Sequence, residues 1–191
     1  EGQAETISER LAEVGLDDYH QRIYDLAREG ASLIAARFEA DVEQGRISLD
    51  DLFDRSYQPI PGTEPARFQT RFDRYTDQVL PAIQEPLLPR HEGLVFAIAC
   101  TQQGYVPTHN QAFSQPLTGD VQVDTVNNRT KRKFADRTGI RCGSHQQPVL
   151  LQTYTRDTGE LMHDLSVPIM GRIAAGLQTG ESTLRLLPLT Q

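Results

Sequence analysis

The sequence predicts an α+β fold, with long N-terminal helices packed beside an antiparallel sheet. Two observations predict it. Apolar and small residues recur at steps of three and four through the first half. After residue 92 the period changes to a uniform apolar run and then to two-residue alternation, which are strand patterns. The boundary falls between a helical part with its connection, residues 1–90, and a sheet part, residues 91–191. Together they make a single domain, which suits a length of 191 residues.

A short helix is expected from Thr6 to about Val14, where Thr6 and Glu9 have capping-box spacing. The first long helix starts near Tyr19. Its stripe is Ile23, Leu26, Ala27, Gly30, Leu33, Ile34, Phe38 and Val42, and Gly45 ends it as a C-cap. Near-heptad spacing makes this stripe either a homodimer seam or a face packed on the sheet. Ser48 is placed to cap one turn that contains Leu52 and Phe53, after which Pro59, Pro61, Gly62 and Pro65 impose an irregular connection. A second long helix is expected from Pro65 or Ala66, with Phe68, Phe72, Tyr75, Val79, Ile83 and Leu87 on one face. Pro81 should kink it, and Pro86 and Pro89 should end it.

"LVFAIAC" (94–100) reads as a strand covered on both faces. "QQGY" is a tight turn, and "YVPTH" is a second short strand that Pro107 confines to an edge. Residues 114–146 are polar and poor in strand signal. "PVLLQTYTR" and "LMHDLSVPI" then form a hairpin around "DTGE".

Composition narrows the function. The chain is 38% hydrophobic and 24% charged, with a formal net charge of −7. That acidity argues against nucleic acid as a partner, and the basic run "NRTKRK" reads as a solvated face. Two cysteines, Cys100 and Cys142, do not make a disulfide scaffold. No apolar run is long enough to span a membrane, and the charged opening "EGQAETISER" lacks the pattern of a signal peptide.

No catalytic motif stands out. Nucleophile elbow, P-loop, G-x-G-x-x-G and H-E-x-x-H are all missing, so no enzyme is expected. Cys142-x-x-His145 has metal spacing, but no second Cys/His pair accompanies it, and no metal is expected. His109, which follows the apolar strand and its glycine turn, is either a catalytic base, a metal ligand, a pocket residue or a packed polar residue.

A binding reading has more material. Alternation in the hairpin sets Gln152, Tyr154 and Arg156 on one face and Met162, Asp164 and Ser166 on one face, with His163, Leu165 and Val167 opposite the latter. "KFADRTGIRCG" adds Arg137 and Arg141 from the long excursion. The candidate ligand-binding residues are Tyr105, His109, Arg137, Arg141, Tyr154, Arg156, His163 and Asp164. They would line a pocket roofed by residues 114–146 and suited to a small polar ligand, or else be exposed residues of a half-wet sheet.

"VFAIACTQQGYVPTHN" and "LLQTYTRDTGELMHDLSVPI" resemble the Cache domain of bacterial sensors, a relative of the PAS fold. Together with "DLFDRSYQPIPGTEPARFQTRFDRYTDQVLPAIQEPLL" and "NRTKRKFADRTGIRCG", they look like a sensory module of methyl-accepting chemotaxis proteins, over roughly residues 20–169. The resemblance implies a Cache/PAS-like sensing domain. A small molecule or redox cofactor, of identity not given by the sequence, would bind the sheet half. Long helices would pass the shift to the signalling region of a parent receptor, within a homodimer. It also implies a cytoplasmic location, because this module follows the signalling helices; an extracytoplasmic domain of a membrane receptor is the alternative. A small His-dependent hydrolase and a helical dimerisation module without ligand are the competing functions.

From residue 170 the chain departs from the resemblance, which implies a closing strand of the type G-R-H-W-G-G followed by an aromatic. Only Gly171-Arg172 remains in "MGRIAAGLQTGESTLRLLPLTQ". A shifted reading frame in the gene accounts for this, with divergence as the alternative. The other frames of the coding DNA distinguish the two.

Overall fold

The computed structural model describes residues 6–8, 18–134, 150–155, 161–169, 172–173, 177–178 and 182–188. Helix α1 runs Asp18–Glu43 and buries Ile23, Tyr24, Leu26, Ala27, Gly30, Ala31, Ile34, Ala35 and Asp41. The predicted stripe is therefore largely a packing face, turned inward on the chain's own sheet. Leu33 is the exception and stays exposed. Small residues at 27, 30, 31 and 35 let the helix sit close to its neighbours. Gly45 ends α1 at φ 74°. Arg46 N–H donates to Asp41 C=O (2.8 Å) and Gly45 N–H to Val42 C=O (3.1 Å), the paired bonds of a Schellman cap. Helix α2, Leu49–Leu52, is capped by Ser48, whose Oγ accepts from Asp51 N–H.

The second helix is shorter than its pattern suggests. Phe68–Gln69 is strand β3, paired with β2, Gln58–Pro59. Phe68 N–H donates to Lys131 C=O, so its backbone is committed to pairing outside any helix. Asp73 holds the turn before the helix, accepting from Thr70 N–H (2.9 Å) and Thr70 Oγ (2.8 Å). Helix α3 is Asp73–Val79 and α4 is Pro81–Gln84, with Pro81 at the break; a 3-10 stretch, Glu85–Arg90, follows. Apolar periodicity alone thus overstated the helix by about two turns.

The main sheet has five antiparallel strands in the order β1-β7-β8-β11-β4. They are β1 Thr6–Ser8, β7 Leu150–Thr155, β8 Leu161–Pro168, β11 Ser182–Pro188 and β4 Leu94–Thr101. The predicted hairpin is β7–β8. Thr6–Ser8 is a strand, not the expected helix start: it pairs with the outer edge of β7, Thr6 opposite Thr153. A free edge offers a row of unmet N–H and C=O groups, and Thr-Ile-Ser suits a strand. Residues 9–14 of that expected helix lie outside the described ones.

β11 lies between β8 and β4, so a strand from the divergent C-terminal stretch closes the sheet. Two further pairs are β5, Tyr105–Val106, with β6, Arg132–Lys133, and β9, Arg172–Ile173, with β10, Leu177–Gln178. Of the 114–146 excursion, residues 135–146 lie outside the described ones, and the part up to residue 134 is more regular than expected. It contains α5, Val121–Asn127, whose start is capped by the Asp120 carboxylate accepting from Gln122 N–H and Val123 N–H. It is pinned at its base by the bridge Ser114↔Asn128.

The outer edge of β4 is covered by side chains. Asn110 Oδ1 accepts from Ala97 N–H (2.8 Å), and Asn110 Nδ2 donates to Ala97 C=O (3.0 Å). Two positions along, Gln84 Oε1 accepts from Ala99 N–H (3.0 Å) while its Nε2 donates to Thr108 C=O. Both amides are fully buried. They stand in for a neighbouring strand and leave those groups satisfied.

Candidate functional site

Register and alternation sort the sheet's side chains onto two faces. Leu151, Leu165, Val167, Ala97 and Ala99 join the core cluster that contains α1. The opposite face carries Leu150, Gln152, Asp164, Ser166, Phe96, Ile98 and Cys100. Gln152 sits opposite Asp164, and Leu150 opposite Ser166. The backbone register continues that second row through position 185 to Ile98.

This second face is not the wet side of a two-layer protein. Gln152, Asp164 and Ser166 are each 0% exposed, as is Leu150, and Ile98 and Cys100 are 1% exposed. A buried carboxylate, amide and hydroxyl need polar partners, because an unmet buried group costs about 1–3 kcal/mol, and each of the three has a partner within the protein. Beside them Phe96, Ile98, Cys100 and Val106 form a second apolar cluster with Phe113 and Phe134 packed on it.

His109 stands at the end of this face. It is buried, with its ring edge-on to Phe96 (5.0 Å) and Phe113 (5.2 Å). Asn110 N–H donates to His109 Nδ1 at 2.8 Å, so Nδ1 is an acceptor and the proton of the neutral ring sits on Nε2. Of the four roles left open for His109, the geometry gives it packing beside the polar face.

Two predicted residues, Tyr105 and His163, fall elsewhere. Tyr105 is 0% exposed and belongs to the helix-side core, against Tyr57 and Phe72. Its hydroxyl lies 2.9 and 2.8 Å from the two Asp73 carboxylate oxygens. Burial first, then the Asp73 charge, push its phenol pKa well above the usual value. Tyr105 is thus a core residue, satisfied inside the fold. His163 is on the α1 face, its ring 5.4 Å from that of His20, so it does not share a surface with Asp164. Adjacent strand residues point opposite ways, which a joint assignment of His163 and Asp164 overlooked. Tyr154 lies opposite Met162, two positions along β7 from Gln152, so the backbone register keeps it in the row of Gln152. Arg137, Arg141 and Arg156, like Cys142 and His145, lie outside the described residues. Gln152 and Ser166 were not among the predicted ligand residues, yet they join Asp164. Their signal was the period-two alternation, once the hairpin register is fixed.

A separate cleft, lined by Phe38, Phe53, Phe72, Leu80, Thr101 and Pro107 among others, has a volume of about 40 Å³. At roughly 10–15 Å³ per water it holds about three or four waters, too few for an organic ligand. Among the described residues no group of three or more His, Cys, Asp or Glu side chains converges to hold a metal ion, and no helix is long and apolar enough to cross a membrane.

Fold and site together define a mixed α+β domain with an antiparallel sheet, helices on one face and a buried polar patch on the other. No family model, curated protein or solved structure matches this chain.

Proposed function

We propose that this chain is a Cache/PAS-like sensing domain that takes a small polar ligand on the sheet face opposite α1. The observation that carries the reading is that three polar side chains, Gln152, Asp164 and Ser166, are gathered on one sheet face, with Gln152 in register opposite Asp164. Two features support it. A strand after Ile169 closes the sheet, as the resemblance implies. The long helix α1 packs on β8 and β11, so a shift of those strands reaches it directly.

In this reading the ligand's polar groups meet Asp164, Gln152 and Ser166, and its apolar body lies on Phe96, Ile98 and Leu150. The ligand moves the equilibrium by binding one sheet–helix arrangement better than another. The output passes along α1 to the signalling region of a cytoplasmic chemotaxis receptor. The homodimer, if formed, uses surfaces other than the α1 stripe, since the sheet already occupies that stripe.

Melting the domain with amino acids, organic acids and purines tests this. A ligand at a hundred times its Kd adds about 2.7 kcal/mol, or roughly 5–11 °C in Tm for a chain of this size. Asp164→Asn should abolish or retarget that rise. The reading fails if every ligand that raises Tm does so equally in Asp164→Asn. Hydrolase turnover that disappears in His109→Ala would favour catalysis instead.

A further inference from the structure

Away from the sheet, the C-terminal end of α1, the loop after it, α2 and the start of α3 enclose an open groove of about 570 Å³. Arg37, Arg46, Arg71 and Arg74 line it, together with Asp41 and Asp51. With Asp54, which also reaches Arg71, four arginines face three aspartates and leave a local excess of one positive charge, in a chain whose net charge is −7.

Asp41 organises two of these arginines. It is 1% exposed and accepts from Tyr75 OH (2.6 Å), Arg37 Nε (2.7 Å) and Arg46 Nη1 (3.1 Å). Burial alone would raise its pKa, but the Tyr75 hydroxyl and the two guanidinium groups outweigh burial and hold the carboxyl below its ordinary range. Arg37 spends only Nε on this contact and Arg46 only one Nη, so each keeps other N–H donors. Arg71 differs: it is held by Asp51 (3.0 Å) and Asp54 (3.6 Å) and donates to Asp50 C=O. Arg74 is exposed and makes no ion pair among the described residues.

One buried carboxylate thus fixes two cations at the rim of a groove where a third stands uncompensated. Holding like charges together is unfavourable for the fold alone. The arrangement is favourable when an anion with several acceptor oxygens enters, because guanidinium groups donate in a planar fork that matches such oxygens. We propose that this groove binds a phosphate-type oxyanion through Arg37, Arg46 and Arg74, independently of any ligand on the sheet. The same chemistry is offered by free phosphate and by an anionic lipid headgroup.

The test uses the whole chain and its Arg74→Gln and Arg74→Glu variants. Among the described residues Arg74 has no structural partner to lose, so the variants should melt as the parent does. Inorganic phosphate is titrated against chloride at matched ionic strength while the arginine Nε–H resonances are followed by NMR. Co-sedimentation is measured with phosphatidylcholine vesicles, with and without phosphatidylglycerol. Phosphate binding weakened about tenfold or more in Arg74→Gln and lost in Arg74→Glu supports the site with a soluble ligand. Binding only to phosphatidylglycerol vesicles, lost in the same variants, supports it with a lipid headgroup. No binding to either probe, or equal binding in Arg74→Glu, overturns the proposal.

Discussion

Replacing Asn110 by alanine should destabilise the domain more than any change of comparable size on its surface. The Asn110 side chain is fully buried and serves both backbone groups of Ala97, itself 0% exposed, and its Nδ2 also reaches Glu85. Alanine removes those bonds and leaves an N–H and a C=O of β4 buried without partners. At about 1–3 kcal/mol for each unmet group, the loss is about 2–6 kcal/mol. For a chain of this size that lowers Tm by roughly 4–24 °C. Urea melts should show a lower midpoint with unchanged slope, since the surface exposed on unfolding is the same. Asn110→Asp keeps an acceptor for Ala97 N–H but loses the donor and sets a carboxylate beside Glu85. It should also be destabilised, with part of the loss recovered as acid protonates the pair. If Asn110→Ala melts within about 0.5 kcal/mol of the parent, the ordinary range for a neutral surface change, the edge-covering argument is wrong.

Other perturbations test separate parts of the structure. Gly104 has φ 80°, and a Cβ there would lie 2.3 Å from Phe134 C=O, so Gly104→Ala should cost several kcal/mol and sharply reduce soluble yield. Tyr105→Phe removes a buried hydroxyl from Asp73 and should lower Tm without changing ligand response, because Tyr105 sits on the helix side; altered ligand response at unchanged stability would return it to the site. Asp41 has a folded pKa below its ordinary 3.8, so its stabilisation is present above that value and is lost as pH falls through the folded one. Asp54 and Asp124 are lowered in the same sense. Asp41→Asn should therefore be less stable than the parent near neutral pH, with the gap closing in acid melts below about pH 4; a gap that widens with acid would contradict the ion-pair geometry.

Features set by neighbours in sequence were legible. The α1 stripe, the Gly45 cap, the Ser48 cap and the β7–β8 hairpin each follow from residues within a few positions of one another. Features set by distant partners were not. Phe68 carries a helical period, yet its N–H is claimed by Lys131, 63 residues later in the chain. Thr6 begins a capping-box pattern, yet a free edge at Thr153 draws it into a sheet. Helix α5 was readable in principle, because Asp120 precedes "VQVDTV" as a cap, but a polar excursion obscured its short apolar run.

The site divides in the same way. Alternation correctly separated Asp164 from Leu165 but did not say which face α1 would cover, and that choice decides whether His163 or Asp164 is available to a ligand. Packing decides it. Leu151, Leu165 and Val167 form a continuous apolar row that the α1 stripe can bury, and His163, two positions from Leu165 in β8, goes with that row. The polar residues are then committed to the other face, where water is excluded as well. A sheet with one polar face would usually leave it wet, since hydration satisfies those groups at little cost. Burying Gln152, Asp164 and Ser166 among Phe96, Ile98 and Leu150 is favourable only because each has a partner inside the protein. A ligand that reached this face would have to exchange those internal contacts for its own, so Asp164→Asn should lower Tm as well as alter any ligand response, and an Asp164→Asn domain that melts as the parent does would contradict the burial of a partnered carboxylate.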